Sequence, residues 1–295
     1  MNQQIPFPIP KSFKFKNENT ILLFQRRRII KDRDTKIRKK IPYRFEVLHK
    51  PGTYMTDYEI KKLVDNIRQV AATAFDPIPE YQSMRGTRED LSDKIIALAW
   101  DKNILAGFAS TVELYIPTIG NILHLGLTVV RPEYRSKSLT HYLMQKAITS
   151  YIITNAIFFD KLWIANCAAV LSSLVNVALH FENVYPSPQK VKYTDQHKII
   201  AETINVLYRD KLYINPDSIF DKQYHIFKGS VKGTVFQKNA HDTSYYHRNQ
   251  LFNDYYKNII DFDNGDEILQ VGYASIPAAI RHALFTNKKK QHCNN

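Results

Sequence analysis

Between residues 130 and 140 the chain reads Val-Arg-Pro-Glu-Tyr-Arg-Ser-Lys-Ser-Leu-Thr. An apolar stretch ends at Val130, and a helical pattern begins near Ser138 or Leu139. The segment is therefore a strand-to-helix turn. The first turn of a helix exposes backbone N–H groups that have no acceptor within the helix, at the positive end of its dipole, which makes it a ready anion site. Arg135 and Lys137 add formal charge. Ser136, Ser138 and Thr140 add hydroxyls beside the backbone donors. A pyrophosphate matches that set of groups.

Other chemistries find little support. The chain has no Gly-x-x-x-x-Gly-Lys-Ser/Thr loop, no Gly-x-Gly-x-x-Gly and no His-Glu-x-x-His. Its ten histidines are scattered, and His241 and His247 do not have the spacing of a metal site. No bound metal is expected. Cys167 and Cys293 are the two cysteines, far apart, so neither a disulfide framework nor a cysteine-rich zinc site can be built; a reducing compartment follows. Cys167 as an acyl-carrying nucleophile has no obvious partner in the sequence.

The elements that must position the turn follow from periodicity. Phe45, Val47 and His49 alternate in a strand over 43–49. Leu63, Ile67, Val70 and Ala71 fall on one face of a helix over 57–75, which Asp76-Pro77-Ile78-Pro79 stops. Strands are predicted over 94–100 and 104–115, joined by the turn Asp101-Lys102-Asn103, and over 121–130. A helix over 139–154, a short buried strand over 161–165 and a helix over 168–181 complete a unit closed by Val184-Tyr185-Pro186. The order describes a mixed, mostly antiparallel central sheet flanked by helices, whose last central connection is a helix. Beyond 188 the pattern weakens to a helix over 196–207, strand-like pieces over 224–236, a helix over 247–260 and a strand over 267–273.

These features resemble the Gcn5-related N-acetyltransferases. Their signature is an apolar strand ending in Val-x-Pro, then Arg or Gln, two residues, Gly, one residue, and Gly or Ala. Val130-x-Pro132 and Tyr134-Arg135 match it, Leu139 stands where a branched apolar residue is usual, and Leu143 matches the leucine of the next turn. The resemblance covers roughly residues 43–186. Two positions depart from it: Ser138 stands for Gly, and Thr140 for Gly or Ala. Glycine lets backbone approach phosphate closely; serine can keep helical dihedrals and still present its N–H, whereas threonine crowds more.

The resemblance implies an acyl-CoA N-acyltransferase-like fold with a C-terminal α+β extension, and acetyl-CoA or another acyl-CoA as co-substrate. The turn 135–140 (Arg135, Ser136, Lys137, Ser138, Leu139, Thr140) would hold its pyrophosphate. Thr128, Val129 and Val130 would offer backbone groups to the pantetheine arm. Asn166 would lie near the cofactor, or cap the helix that follows.

Direct transfer to an amine needs a base for the attacking nitrogen and an acid for the departing thiolate. Many relatives place the base as a glutamate where this chain has Gly126. His124 shares the face of Gly126 and Thr128 by the period of two, and its ordinary pKa suits proton transfer at neutral pH. Glu113 on the neighbouring strand is the second candidate base. Tyr185 is the candidate acid. Each of the three has a plain structural role as its alternative.

Length and charge set the outer limits. The 295 residues, 44% hydrophobic and 12% aromatic, suffice for one large domain or a domain with an extension. The expected organisation is a basic arm over 1–42, the acetyltransferase-like domain over 43–187, the extension packed on or beside it over 188–287, and a tail over 288–295. The net charge is +13, and the first 40 residues hold twelve basic and three acidic side chains, so most of the excess belongs to the arm. No signal peptide or membrane-spanning stretch is visible, and a cytoplasmic location is expected. The acceptor is expected to be a small-molecule or peptide amine, with its choice set by residues 76–93 and the extension. The second reading is a catalytically degenerate scaffold that binds nucleic acid or an anionic surface through its arm.

Overall fold

The computed structural model describes residues 43–135, 137–155 and 161–275. The basic arm and the C-terminal tail lie outside the described residues. Nine strands form one open sheet in the order β1-β2-β3-β4-β5-β9-β8-β7, with β6 also paired to β9. The first four are β1 (Arg44–His49), β2 (Lys94–Asp101), β3 (Ile104–Ile116) and β4 (Gly120–Val130), an antiparallel meander. β5 (Leu162–Ala168) runs parallel to β4, and this is the sheet's one parallel pair among the described residues. The remaining strands are β6 (Glu182–Tyr185), β7 (Ile219–Asp221), β8 (Ile226–Lys228) and β9 (Glu267–Ala274). The sheet is mixed, mostly antiparallel and flanked by helices, as the order of elements in the sequence described.

Helices cover both faces. Helix α1 (Asp57–Ala71) starts at a reciprocal cap: Thr56 Oγ1 accepts from the Glu59 N–H, and Glu59 accepts from the Thr56 N–H. Its Ile60, Leu63, Val64, Ile67 and Val70 pack on Ile96, Leu98 and Phe108 of the sheet. Helix α2 (Leu139–Thr154) covers the opposite face, with Leu143, Ala147 and Tyr151 against Ile95, Ala97 and Leu123. Helix α3 (Leu171–His180) lies on that same side, buried through Leu174 and Val175. Helix α4 (Asp195–Leu207), followed by the single turn α5 (Arg209–Leu212), returns to the α1 face, where Ile200 and Ile204 meet Val112, Leu114 and Leu269. Helix α6 (Gln250–Lys257) packs its Phe252 and Tyr256 with Leu171, Leu174 and Val175 of α3.

The division expected after residue 187 is not a division of the sheet. β9 pairs with β5 along its whole length, from Leu162↔Ala274 to Ala168↔Ile268, and separates β5 from β6 and β8. Residues 186–266 are therefore an excursion of loops, helices and the two short edge strands β7 and β8 between two paired strands, β6 and β9. The strand-like pieces expected over 224–236 reduce to β8. β6, unanticipated as a strand, forms because Val184 is drawn into the core beside Val177 and Leu162. No helix of the described residues is long and apolar enough to cross a membrane.

The core buries three histidines in neutral form. Desolvation, with Lys94 nearby, holds His124 down at about 3, and burial beside His197 holds His225 at about 4. His197 is lowered as well. The unfolded chain thus binds more protons than the folded one below 6.5. Glu267, raised to about 7, works in the opposite direction, one group against three. The urea-unfolding midpoint should accordingly fall as pH is lowered from about 6.5 to about 4, and His124→Leu should make that fall shallower. A variant with the slope of the parent chain would contradict the burial of a neutral imidazole.

Candidate active site

The ladder between β4 and β5 is short. It runs Leu123↔Ile164, His124↔Ala165, Leu125↔Asn166 and stops there. The cause lies on the other side of β4. Ala109 of β3 faces Thr128 and Thr111 faces Leu125, so Ser110 opposes two residues, Gly126 and Leu127. Such a bulge bends the strand that carries the extra residue. Gly126 suits this point because a Cβ would lie 2.6 Å from the Ser110 carbonyl oxygen and 2.2 Å from Gln82 Oε1. β5 cannot follow the bend, being held to β9 throughout. The two strands part, and a cavity of about 920 Å³ opens between them.

The anion turn stands at one end of this cleft. Ser138, Thr140 and His141 line the cavity at the start of α2. Ser138 adopts φ 58° and ψ 20°, a left-handed conformation. That differs from the helical dihedrals expected of it and explains why glycine suits this position: a Cβ there meets the carbonyl that follows. Arg135 is exposed and folds back, its Nε donating to the Val130 carbonyl at 3.3 Å. Lys137 is exposed, over the Tyr134 ring at 5.4 Å. Leu139 is buried in the α2 core. Ser136 lies outside the described residues.

Along the β4 side, the Arg131 N–H bonds to Ala106 of β3. By strand alternation Val129 also faces β3, while Thr128 and Val130 turn their backbone groups toward the gap. Thr128 lines the cavity, and its buried hydroxyl has no hydrogen-bond partner among the described residues. Across the gap, Asn166 lines the cavity too and donates to Gln270 Oε1 at 3.1 Å. β5 extends through Ala168 and Val170 caps α3, so Asn166 is a strand residue and not the helix cap.

The candidate acid and bases fall elsewhere. His124 is fully buried beside Val112 and Ala165, neither ring nitrogen has a hydrogen-bond partner among the described residues, and it does not line the cavity. Glu113 points to the α2 face, where it accepts from Tyr151 Oη at 2.7 Å and pairs with Lys50. Tyr185 donates to the Gln223 carbonyl and sits among Tyr193 and His225. Buried strand positions attract such groups through packing and hydrogen bonds alone, which a period-of-two argument does not distinguish from cleft exposure.

A different set of ionisable groups lines the cleft. Glu267, the first residue of β9, is buried, accepts from Ser230 Oγ at 2.5 Å and lies beside the Cys167 thiol. Burial raises its carboxyl to about 7. The same burial, together with Glu267, pushes the Cys167 thiol well up, so thiolate is disfavoured there. Tyr81 lines the cavity near both, and its oxygen accepts from Gln82 Nε2 at 2.6 Å, which leaves its own hydrogen free to donate. Gln82 occupies the space over Gly126 where a side chain at that position would project. Glu267 carried one signal in the sequence, a carboxylate opening an otherwise apolar strand, but only pairing with β5 brings it to the cleft. Among the described residues no group of three or more His, Cys, Asp or Glu side chains is placed to hold a metal ion.

No family model and no curated protein matches the chain. Similar solved structures include an acyl-CoA N-acyltransferase from Pseudomonas aeruginosa, 19% identical over 52% of this chain and 93% of that one, with a TM-score of 0.36. ElaA of Escherichia coli is 17% identical over 50% of this chain and 93% of that one, with a TM-score of 0.36. AAC(6')-Iy bound to the bisubstrate analogue CoA-S-monomethyl-acetylneamine is 16% identical over 52% and 96%, with a TM-score of 0.35.

The left-handed Ser138 gives a direct test of the turn. Ser138→Gly should stabilise the protein by about 1 kcal/mol, the strain of a Cβ in that conformation less the entropy glycine adds to the unfolded chain. Denaturant unfolding measures it, and a destabilised variant would mean that the hydroxyl matters more than the backbone.

Proposed function

We propose that the chain is an acyl-CoA-dependent N-acyltransferase that passes an acetyl or other acyl group to an amine by direct attack. The observation that carries this reading is the parting of β4 and β5 beyond Leu125 and Asn166, with an anion turn at one end and a buried carboxylate within. The pantetheine arm is an extended chain with two amides. It suits a gap bordered by the backbone of Thr128 and Val130, because unmatched strand edges take an added strand. The diphosphate of the donor suits the first-turn N–H groups of α2, with Arg135 and Lys137 supplying charge.

Glu267 is the base in this reading. The amine nitrogen forms a bond to the thioester carbonyl carbon, the C–S bond breaks, and the thiolate leaves with the electron pair. The proton lost by nitrogen passes to the Glu267 carboxylate. A carboxyl near 7 is half ionised at neutral pH and holds that proton far better than an ordinary glutamate. Tyr81 is placed to donate its free hydrogen toward charge that develops on oxygen or sulfur. Cys167, held as a thiol, is not assigned an acyl-carrying role.

Two measurements test this. Calorimetry with acetyl-coenzyme A should show binding, and Arg135→Glu should weaken it at least about tenfold, the order of one charge-assisted contact reversed in sign, while circular dichroism stays unchanged. No heat with the unaltered chain would refute the donor site. For catalysis, kcat/KM for thiol release should rise with pH through about 7 as Glu267 ionises. Glu267→Gln should lower it by about 100-fold or more and remove that inflection. An unchanged pH profile in the variant would assign the base to another group.

A further inference from the structure

The acceptor side of the cleft has a chemical character of its own. Four aromatic rings form one wall. Phe236 packs against Phe75 at 5.5 Å, against Tyr81 at 5.5 Å and against Tyr213 at 6.1 Å between ring centres, and Tyr81 meets Tyr213 at 5.7 Å. All four line the cavity, and they come from two separate stretches of chain, 75–81 and 213–236. Glu267 adjoins this wall at Tyr81 and is the one carboxylate lining the cleft among the described residues. Two residues beyond Phe236, Lys238 also lines the cavity. It is half-buried, its Nζ donates to the Val235 carbonyl at 3.3 Å, and exposed Asp242 acts on its charge without forming an ion pair with it among the described residues. Lys238 and Glu267 make no ion pair with each other, so a ligand that meets both must span the distance between them.

We infer that the acceptor is an amine on an apolar, ring-sized body that carries an anionic group remote from the nitrogen, with the body on the aromatic wall, the nitrogen at Glu267 and the anion at Lys238. The inference rests on the acyltransferase reading and narrows its substrate. Flat rings favour an apolar or aromatic body, since each stacked or edge-on contact adds to area burial. A half-buried ammonium whose one acting carboxylate, Asp242, is exposed and out of ion-pair reach has lost hydration and gains most from an anion that replaces it. A polyamine is disfavoured, because a single carboxylate can neutralise only one of its charges while Lys238 and Arg248 repel the rest.

Thiol release from acetyl-coenzyme A with a matched pair of probes, 4-(aminomethyl)benzoate and benzylamine, tests the assignment. The unaltered chain should prefer the benzoate by about tenfold or more in kcat/KM, the order set by one charge-assisted hydrogen bond. Lys238→Met should erase that preference by slowing the benzoate reaction, and Lys238→Arg should retain most of it. Equal rates for the two probes, faster turnover of spermine than of either, or a preference that survives in Lys238→Met would overturn the inference. So would a loss of acetyl-coenzyme A affinity in Lys238→Met, which would move the cation to the donor. Acetyl-coenzyme A binding by the unaltered chain separates the two levels: without it the acyltransferase reading fails and this one with it, whereas binding with no benzoate preference overturns this one alone.

Discussion

Two adjacent strands that stop bonding to one another leave backbone donors and acceptors facing a gap, and each such group costs about 1–3 kcal/mol if nothing replaces the lost partner. β4 and β5 tolerate this because each is locked on its outer side. β4 is held by β3 through the bulge at Gly126 and Leu127, and β5 is held by β9 over all seven of its residues. Closing the gap would require breaking one of those ladders. The cleft is therefore a consequence of sheet geometry, and its edges are already shaped for an extended chain with amides of its own.

The excursion between β6 and β9 then decides what kind of cleft it is. Residues 186–266 return the chain as β9, which sets Glu267 beside Cys167 and Tyr81. On its way the excursion lays Tyr213, Phe236 and Lys238 along the same opening. The electrostatic outcome follows from burial more than from partners. With Ser230 and the Cys167 thiol as its hydrogen-bond donors and no ion pair to a cation among the described residues, Glu267 is pushed up toward neutrality by burial. A salt bridge there would have held it ionised and made it a poor proton acceptor. Other buried polar groups do different work. Asn166, Gln270 and Tyr256 form a chain of hydrogen bonds that ties β5 and β9 to the carbonyls of Leu174 and Pro186, fixing α3 at the edge of the opening.

The elements were mostly legible because their signals are local. Alternation over 43–49, the turn Asp101-Lys102-Asn103 and the apolar face of α1 each lie within a few residues of chain, and the structure places β1, the β2–β3 turn and α1 there. The strand-to-helix turn was legible for the same reason, as a change of period with basic residues between. Ser138, expected to keep helical dihedrals, adopts a left-handed conformation instead, since sequence shows which residue is present and not the φ it must adopt.

What the sequence by itself determined is most of the strands and helices through residue 187, β6 excepted, with their order and a basic strand-to-helix turn before α2. Only the tertiary structure decided which side chains share the cleft. His124, Glu113 and Tyr185 have suitable chemistry, yet packing assigns them to cores and structural hydrogen bonds. Glu267 lies 101 positions from Asn166 in sequence and one rung beyond the end of the β5–β9 ladder in space. The physical reason is that strand pairing over long separations is set by which apolar faces must be buried together, and that requirement belongs to the whole sheet, not to any one segment.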